Sequence, residues 1–246
     1  VQGRNDQASN LESANNSLFY PGGSIAFVAT DAFPVIKSDI LSYAKFRVGY
    51  GTSAGFGSTY NTRSTLGLSS RAFVDGSGVV VPSNFVANKL GNSDLKPEKV
   101  SEIELGLDLR LLNNKLGVNI SVFDRTTENL ITSRTLPGSS GYTNITVNAG
   151  KVSIKGLELD FNYRPIKTQN FKWQIDANLY ADESLVEELQ GDTTEFTYTN
   201  VVGGRPHNFA IVGQPLGVMK ATRIDRDAAG NALIDSDGFY VSTIEQ

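Results

Sequence analysis

Two carboxylate pairs, Glu102 with Glu104 and Glu158 with Asp160, stand two residues apart. In extended backbone that spacing projects both acids from one strand face, a geometry from which a paired-acid hydrolase could be built. A water-facing wall lined with polar side chains uses the same spacing. Nothing else completes a familiar catalyst. The chain has one histidine, His207, and no cysteine. That excludes thiolate zinc sites, cysteine nucleophiles and disulfide frameworks, and leaves a Ser/His/Asp triad or a histidine metal site short of imidazoles. Asp225-Arg226-Asp227-Ala228-Ala229-Gly230-Asn231 begins like a calcium loop, but its twelfth position is Ser236 where a glutamate is needed. It reads as a tight turn, as does Asp235-Ser236-Asp237-Gly238. Gly203-Gly204-Arg205-Pro206-His207 offers an arginine to an anion, and a loop re-entering a strand explains it equally well. Asn144-Ile145-Thr146 fits a glycosylation sequon, a pattern common by chance. No metal or cofactor site is expected.

The elements that would hold these residues are unusually regular. From Ser101 to Leu111, Ile103, Leu105, Leu107, Leu109 and Leu111 alternate with Glu102, Glu104, Gly106, Asp108 and Arg110. Eleven residues of period two define a strand with one apolar and one wet face. Leu112-Asn113-Asn114 makes a tight turn, and Leu116, Val118, Ile120 and Val122 continue the apolar face on the way back. The alternation recurs at Ala44–Tyr50, Leu157–Tyr163 and Phe171–Ala181. Ser24–Thr30, Asn208–Gly213 and Val218–Asp225 are shorter candidates.

Connections between these strands alternate in length. Asp31–Leu41 is moderate, Ser53–Val100 long, Leu112–Asn114 tight, Thr126–Val152 long, Pro165–Asn170 short, Glu183–Pro206 long and Gln214–Gly217 short. An up-and-down barrel in an outer membrane has short turns at one rim and long loops at the other. A soluble antiparallel sandwich also gives two-faced strands. The best strands here, however, run about nine to twelve residues, the length of a tilted bilayer span, where a globular strand has about five or six. Tyr43, Tyr163, Phe171 and Trp173 fall near the short-turn ends and Phe123 near a long-loop end, as an aromatic girdle would.

Composition agrees. The 246 residues are 39% hydrophobic and 20% charged, with net charge −4, so there is no basic footprint for nucleic acid. No apolar run is long enough for a transmembrane helix. The chain opens at Val1 without a basic or apolar leader, which gives the expectation of an internal piece of a longer polypeptide.

Several segments resemble SusC/RagA-type TonB-dependent outer-membrane transporters. They are Gly91-Asn92-Ser93-Asp94-Leu95-Lys96-Pro97-Glu98 followed by Glu102-Ile103-Glu104-Leu105-Gly106-Leu107-Asp108, the turn Leu111–Leu116, Thr126–Ile131, and Asn148-Ala149-Gly150 with Lys155-Gly156-Leu157-Glu158-Leu159. Upstream, Lys45–Gly51 and, more weakly, Phe19–Ser24 are similar. The resemblance implies an all-β fold, an antiparallel transmembrane barrel segment of about eight strands out of 22. Residues 1–246 would all belong to that one barrel domain, with the plug, the TonB-contacting box and the terminal strands outside the chain.

The resemblance further implies a bacterial outer-membrane importer of oligosaccharide or peptide with no covalent chemistry. It would sit in outer-membrane lipid, with a SusD-like surface lipoprotein as lid and the TonB–ExbB–ExbD complex as energy source. Ligand contacts are expected in the long loops. Phe56, Tyr60, Arg63, Tyr142 and Asn144, with Asn61, have side chains suited to stacking on sugar rings or binding peptide backbone. A glycan-binding sandwich and a sheet enzyme acting through paired carboxylates are the competing readings.

Overall fold

A computed structural model describes residues 1–69, 73–199 and 207–245. Seven strands form one antiparallel sheet: β1 (Gln2–Gln7), β2 (Ser17–Val28), β3 (Leu41–Gly55), β4 (Glu98–Leu111), β5 (Leu116–Glu128), β6 (Gly150–Lys167) and β7 (Lys172–Leu189). They lie side by side in chain order, so β1 and β7 are open edges. The sheet is therefore an arc of seven strands, close to the eight expected.

The period-two sequences come into register across the arc. Ile25, Val48, Leu105, Val122, Leu157 and Ala181 form one row, and Phe27, Phe46, Leu107, Ile120, Leu159 and Leu179 the next. These rows are uncovered: Ile25 is 76% exposed, Leu105 51% and Leu179 54%. Continuous apolar rows of this kind would drive aggregation in water and are solvated by lipid in a bilayer. A sandwich would have packed them against a second sheet, and among the described residues none covers them. The opposite face carries rows such as Arg47, Gly106, Ser121, Glu158 and Tyr180. It is the wet side.

One rim is held by short turns. Leu112, Asn113 and Asn114 all take left-handed backbone, with φ of 54°, 54° and 62°, and close the β4–β5 hairpin through Lys115 N–H to the Leu112 carbonyl at 3.2 Å. Leu112 and Asn113 also donate to the Ile40 and Asp39 carbonyls, which ties this turn to the β2–β3 connection with its short helix Ala29–Ala32. β6 and β7 extend past the expected Pro165–Asn170 connection, which contracts to residues 168–171.

The opposite rim carries the long connections, residues 8–16, 56–97 and 129–149, and also a second sheet. β8 (Glu195–Thr199), β9 (His207–Ile211), β10 (Val218–Ile224) and β11 (Ser242–Glu245) pair in chain order. The alternating rhythm places the Gln214–Gly217 connection at the short-turn rim. The structure places it at the other one: Val186 donates to the Gln214 carbonyl and Gly213 to the Val186 carbonyl, near the long-loop end of β7. β9 and β10, at five and seven residues, are too short to cross a bilayer at about 9–11 residues per span. They build a lobe on the rim instead. Its contact with the arc is a buried cluster of Val152, Val186, Leu189 and Ala210. Of the Gly203–His207 segment, residues 203–206 lie outside the described residues.

The two aspartate segments that begin like calcium loops are hairpin corners of one design, with a third at Asp75. In each, one aspartate oxygen accepts from the N–H groups two and four residues on: Ser77 and Val79, Ala229 and Asn231, Asp237 and Phe239. The glycine three residues after the aspartate has φ between 80° and 87°. In each corner one carboxylate oxygen is spent on backbone, the second oxygen of Asp227 accepts from the Asn231 side chain, and no cluster of metal-ligating side chains exists among the described residues.

Candidate functional site

The wet face is built as a set of cross-strand ion pairs. Arg47 on β3 bridges Glu104 and Asp108 on β4, each at 3.2 Å, and Lys45 reaches Asp108 at 3.1 Å. The Ser121 hydroxyl on β5 donates to Glu104 at 2.8 Å, and Arg125 donates to Glu102 at 2.6 Å. Glu102 and Glu104 are thus each engaged by an arginine and do not face one another as acid and base. Between β5, β6 and β7 the wall opens into a shallow polar depression of about 270 Å³, lined by Arg110, Asn119, Asp160, Asn162, Asp176 and Asn178.

Three glycines on this face act as seats. A Cβ on Gly106 would stand 2.7 Å from the Arg47 guanidinium carbon. A Cβ on Gly117 would meet the Arg110 guanidinium, and one on Gly156 would enter the Phe123 ring. Each glycine lets a flat side chain from the adjacent strand lie down along the wall. Phe123 is consequently 8% exposed, stacks on Tyr180 with ring centroids 6.2 Å apart, and carries Arg125 over its ring at 5.2 Å. The expected girdle position of Phe123 is therefore corrected, since its register puts it on the wet face beside Ser121 and Arg125. Phe171 and Trp173, at 58% and 50% exposed, keep the uncovered positions expected of them.

At the long-loop rim, the residues that carry the family resemblance are the ones that lock the loops together. The Asn92 side chain donates to the Thr146 carbonyl at 2.9 Å and its oxygen accepts from Asp94. Asn148 accepts from the Lys96 N–H and donates to the Lys96 and Asn129 carbonyls, each at 2.9 Å. Glu98 accepts from the Ile131 N–H, and Leu95 is completely buried. Asn61, at 3% exposed, accepts from Lys89 and Thr146. It is internal mortar and has no free surface for a ligand.

The five loop residues singled out from the sequence separate into two places. Tyr60 and Arg63 line one cavity of about 450 Å³, together with Asn10, Glu12, Thr59 and Thr62. Phe56 adjoins it, half-buried, with its carbonyl accepting from Asn10 at 3.1 Å. Tyr142 and Asn144 belong to a different part of the rim, where Asn144 opens the strand Asn144–Asn148 and pairs with Thr135 and Lys89. In the cavity, Arg63 grips Glu12 bidentately at 2.8 and 2.9 Å. This hydrogen-bonded pairing holds the Glu12 carboxyl below the usual glutamate range and raises the guanidinium. Sequence reasoning missed Glu12. Its partner is 51 residues away, and no pattern in the segment 8–16 marks it.

The fold and its rim match known proteins. Residues 1–233 match the family described as TonB dependent receptor-like, beta-barrel, and the chain belongs to that family. The SusC/RagA likeness read from the motifs is found again among the relatives. TonB-dependent receptor P3 of Formosa agariphila is 30% identical over 187 residues, covering 76% of this chain and 18% of that protein. TonB-dependent receptor SusC of Bacteroides thetaiotaomicron is 31% identical over 104 residues, 42% of this chain and 10% of that protein. The RagAB peptide importer in its closed-closed state superposes with a TM-score of 0.76 at 21% identity, over 99% of this chain and 26% of that one. The chain thus spans about a quarter or less of the length of each of these proteins.

Proposed function

We propose that this chain forms part of the barrel wall of a TonB-dependent importer in a bacterial outer membrane, taking up oligosaccharide or peptide. The observation that carries the reading is the two-sided arc: six-strand apolar rows left uncovered on one face, and cross-strand ion pairs on the other. Lipid outside and an aqueous lumen inside would satisfy both faces of such a sheet. In this reading residues 1–246 all lie in one barrel domain. A plug domain and further strands complete the transporter, a SusD-like lipoprotein covers the long-loop rim, and the TonB–ExbB–ExbD complex supplies energy. The wall residues do no covalent chemistry; they bind, space and pass the nutrient.

The test is uptake by cells producing the full-length protein, compared with a deletion strain and a strain lacking TonB. Labelled polysaccharide digest and labelled protein digest are supplied separately. Loss of accumulation of one digest in both mutant strains is expected. Undiminished uptake without TonB would remove energised import as the function.

A further inference from the structure

Where β4 to β7 end at the short-turn rim, the wet face gathers positive charge that the wall does not balance. We infer that this mouth of the lumen clamps an acidic stretch of the transporter's own polypeptide, resident across the opening. The inference goes beyond import and rests on that reading only in taking the wet face as a lumen.

Five cations stand there. Arg110 lies near the end of β4, Lys115 just before β5, Arg164 and Lys167 at the end of β6, and Lys172 at the start of β7. Among the described residues, none of the five has a carboxylate oxygen within 4.0 Å. Elsewhere on this face the cations are paired: Lys45 and Arg47 with Asp108 and Glu104, and Arg125 with Glu102. Lys167 and Lys172 even face one another as the last register pair of β6 and β7, and like charges placed directly opposite repel. The neighbouring acids are fewer. Asp176, in the row of Arg110, Gly117 and Asn162, accepts from Asn162 and Gln174. Asp160 borders the wall depression one row further out, Asp39 sits on the β2–β3 connection, and Asp31 is held by Lys37 at 3.0 Å. Lys167 and Lys172 lie past the wall acids, at the tip of their hairpin.

Side and width select the occupant. Lys172 alternates with Phe171 and Trp173 of the lipid face, and Lys115 precedes Leu116 of that face, so both belong to the wet side. Arg164 donates to the wet-face Asn162 at 3.3 Å, and the Arg110 guanidinium lies against Gly117. The cations therefore face the lumen, away from lipid headgroups. They also spread over four strands, which is three strand spacings or about 14 Å, too wide for one small anion. An extended polypeptide crosses that width in about four residues, and its carboxylates can meet the two arginine forks bidentately. A polyanion in transit would be held at its exit by five cations, whereas passage needs sites weak enough to leave. The occupant is thus resident.

Carbodiimide cross-linking of the full-length transporter in isolated outer membranes tests this, because it joins a lysine amine only to a carboxylate in direct contact. Lys115, Lys167 or Lys172 is expected to be joined to an aspartate- or glutamate-rich stretch of the same chain outside residues 1–246. Arg110→Glu combined with Arg164→Glu leaves the three lysines as reporters and should lower that yield about ten-fold by repelling the stretch. Arg110→Lys combined with Arg164→Lys should keep it. The heat-modifiable band of a closed barrel shows that both variants fold. No joining, joining only to Asp39, Asp160 or Asp176, joining to a different protein, or a yield indifferent to the two arginines overturns the proposal. Lysines that become reactive only after anionic phospholipid is extracted overturn it too, by assigning the cluster to lipid. A cross-linked transporter that imports nothing in the uptake test keeps the clamp and loses import; uptake without the cross-link does the reverse.

Discussion

Glycine on the lumen wall separates what a sequence shows from what a register decides. Gly49, Gly106, Gly117 and Gly156 all occupy wet-face positions of alternating strands. In the sequence they are interchangeable small fillers. In the sheet, Gly156 lies opposite Phe123 and next to a backbone oxygen of Ala181, while a Cβ on Gly49 would meet nothing within 4 Å. Gly156→Ala should therefore push the Phe123 ring off its seat and its stack on Tyr180, destabilising the barrel by about 1–3 kcal/mol. Gly49→Ala should be neutral within roughly 0.5 kcal/mol. Urea unfolding of the full-length protein refolded into lipid vesicles measures both. The coupling is checked by adding Phe123→Ala, which should cost less in the Gly156→Ala background than in the wild type; equal costs would mean that the ring does not rest on the glycine. The Glu12–Arg63 contact is illegible in the sequence for a related reason. It joins two loops 51 residues apart, and loops carry no periodicity from which a partner can be counted.

Among the elements, the apolar strand faces are the most legible, because a period of two fixes the face without any knowledge of the neighbours. Alternation defines the apolar faces from Ile103 to Leu111 and from Phe171 to Ala181, strand length and the loop rhythm predict that they are uncovered, and the exposure of Ile103 and Leu105, on a strand paired on both sides, agrees. Legibility stops where an element fails to cross the membrane. The rhythm of short and long connections identifies a rim only while every strand spans, so it assigns β9 and β10 to the wall when they belong to the lobe beside Val186. Depth along a strand can be tested directly. Phe46 stands in the row with Leu107, midway along the apolar run of β4, and Tyr50 stands opposite Ile103 at its long-loop end. Phe46→Arg should destabilise by about 2–4 kcal/mol, and Tyr50→Arg by no more than about 1 kcal/mol, because the penalty falls from midplane to interface. Similar losses at both positions in vesicle-based unfolding would show that this face does not meet a bilayer.

At the scale of the whole molecule the arc is an open surface. β7 has 18 residues, and from Lys172 to Glu183 every one of them is exposed on both faces. Its outer hydrogen-bonding edge, like that of β1, has no partner strand in the sheet. An unpaired edge of that length is a template for association in water and an unsatisfied row of N–H and C=O groups in lipid, where each unmade bond costs several kcal/mol. In the barrel proposed above, the neighbours that satisfy it come from strands beyond these seven. Residues 1–246 produced alone should thus fail to give the heat-modifiable, monomeric band that closed barrels show on cold gel electrophoresis. The full-length protein should give it under the same detergent conditions. The internal contrast is informative: β4 and β5, paired on both sides, should still form protected strands in the aggregated piece, while the β7 edge exchanges its amide hydrogens or pairs between molecules. A monomeric, protease-resistant band from the 246 residues alone would mean that β1 and β7 close on each other, and the wall would then be a small complete barrel instead of an arc of a larger one.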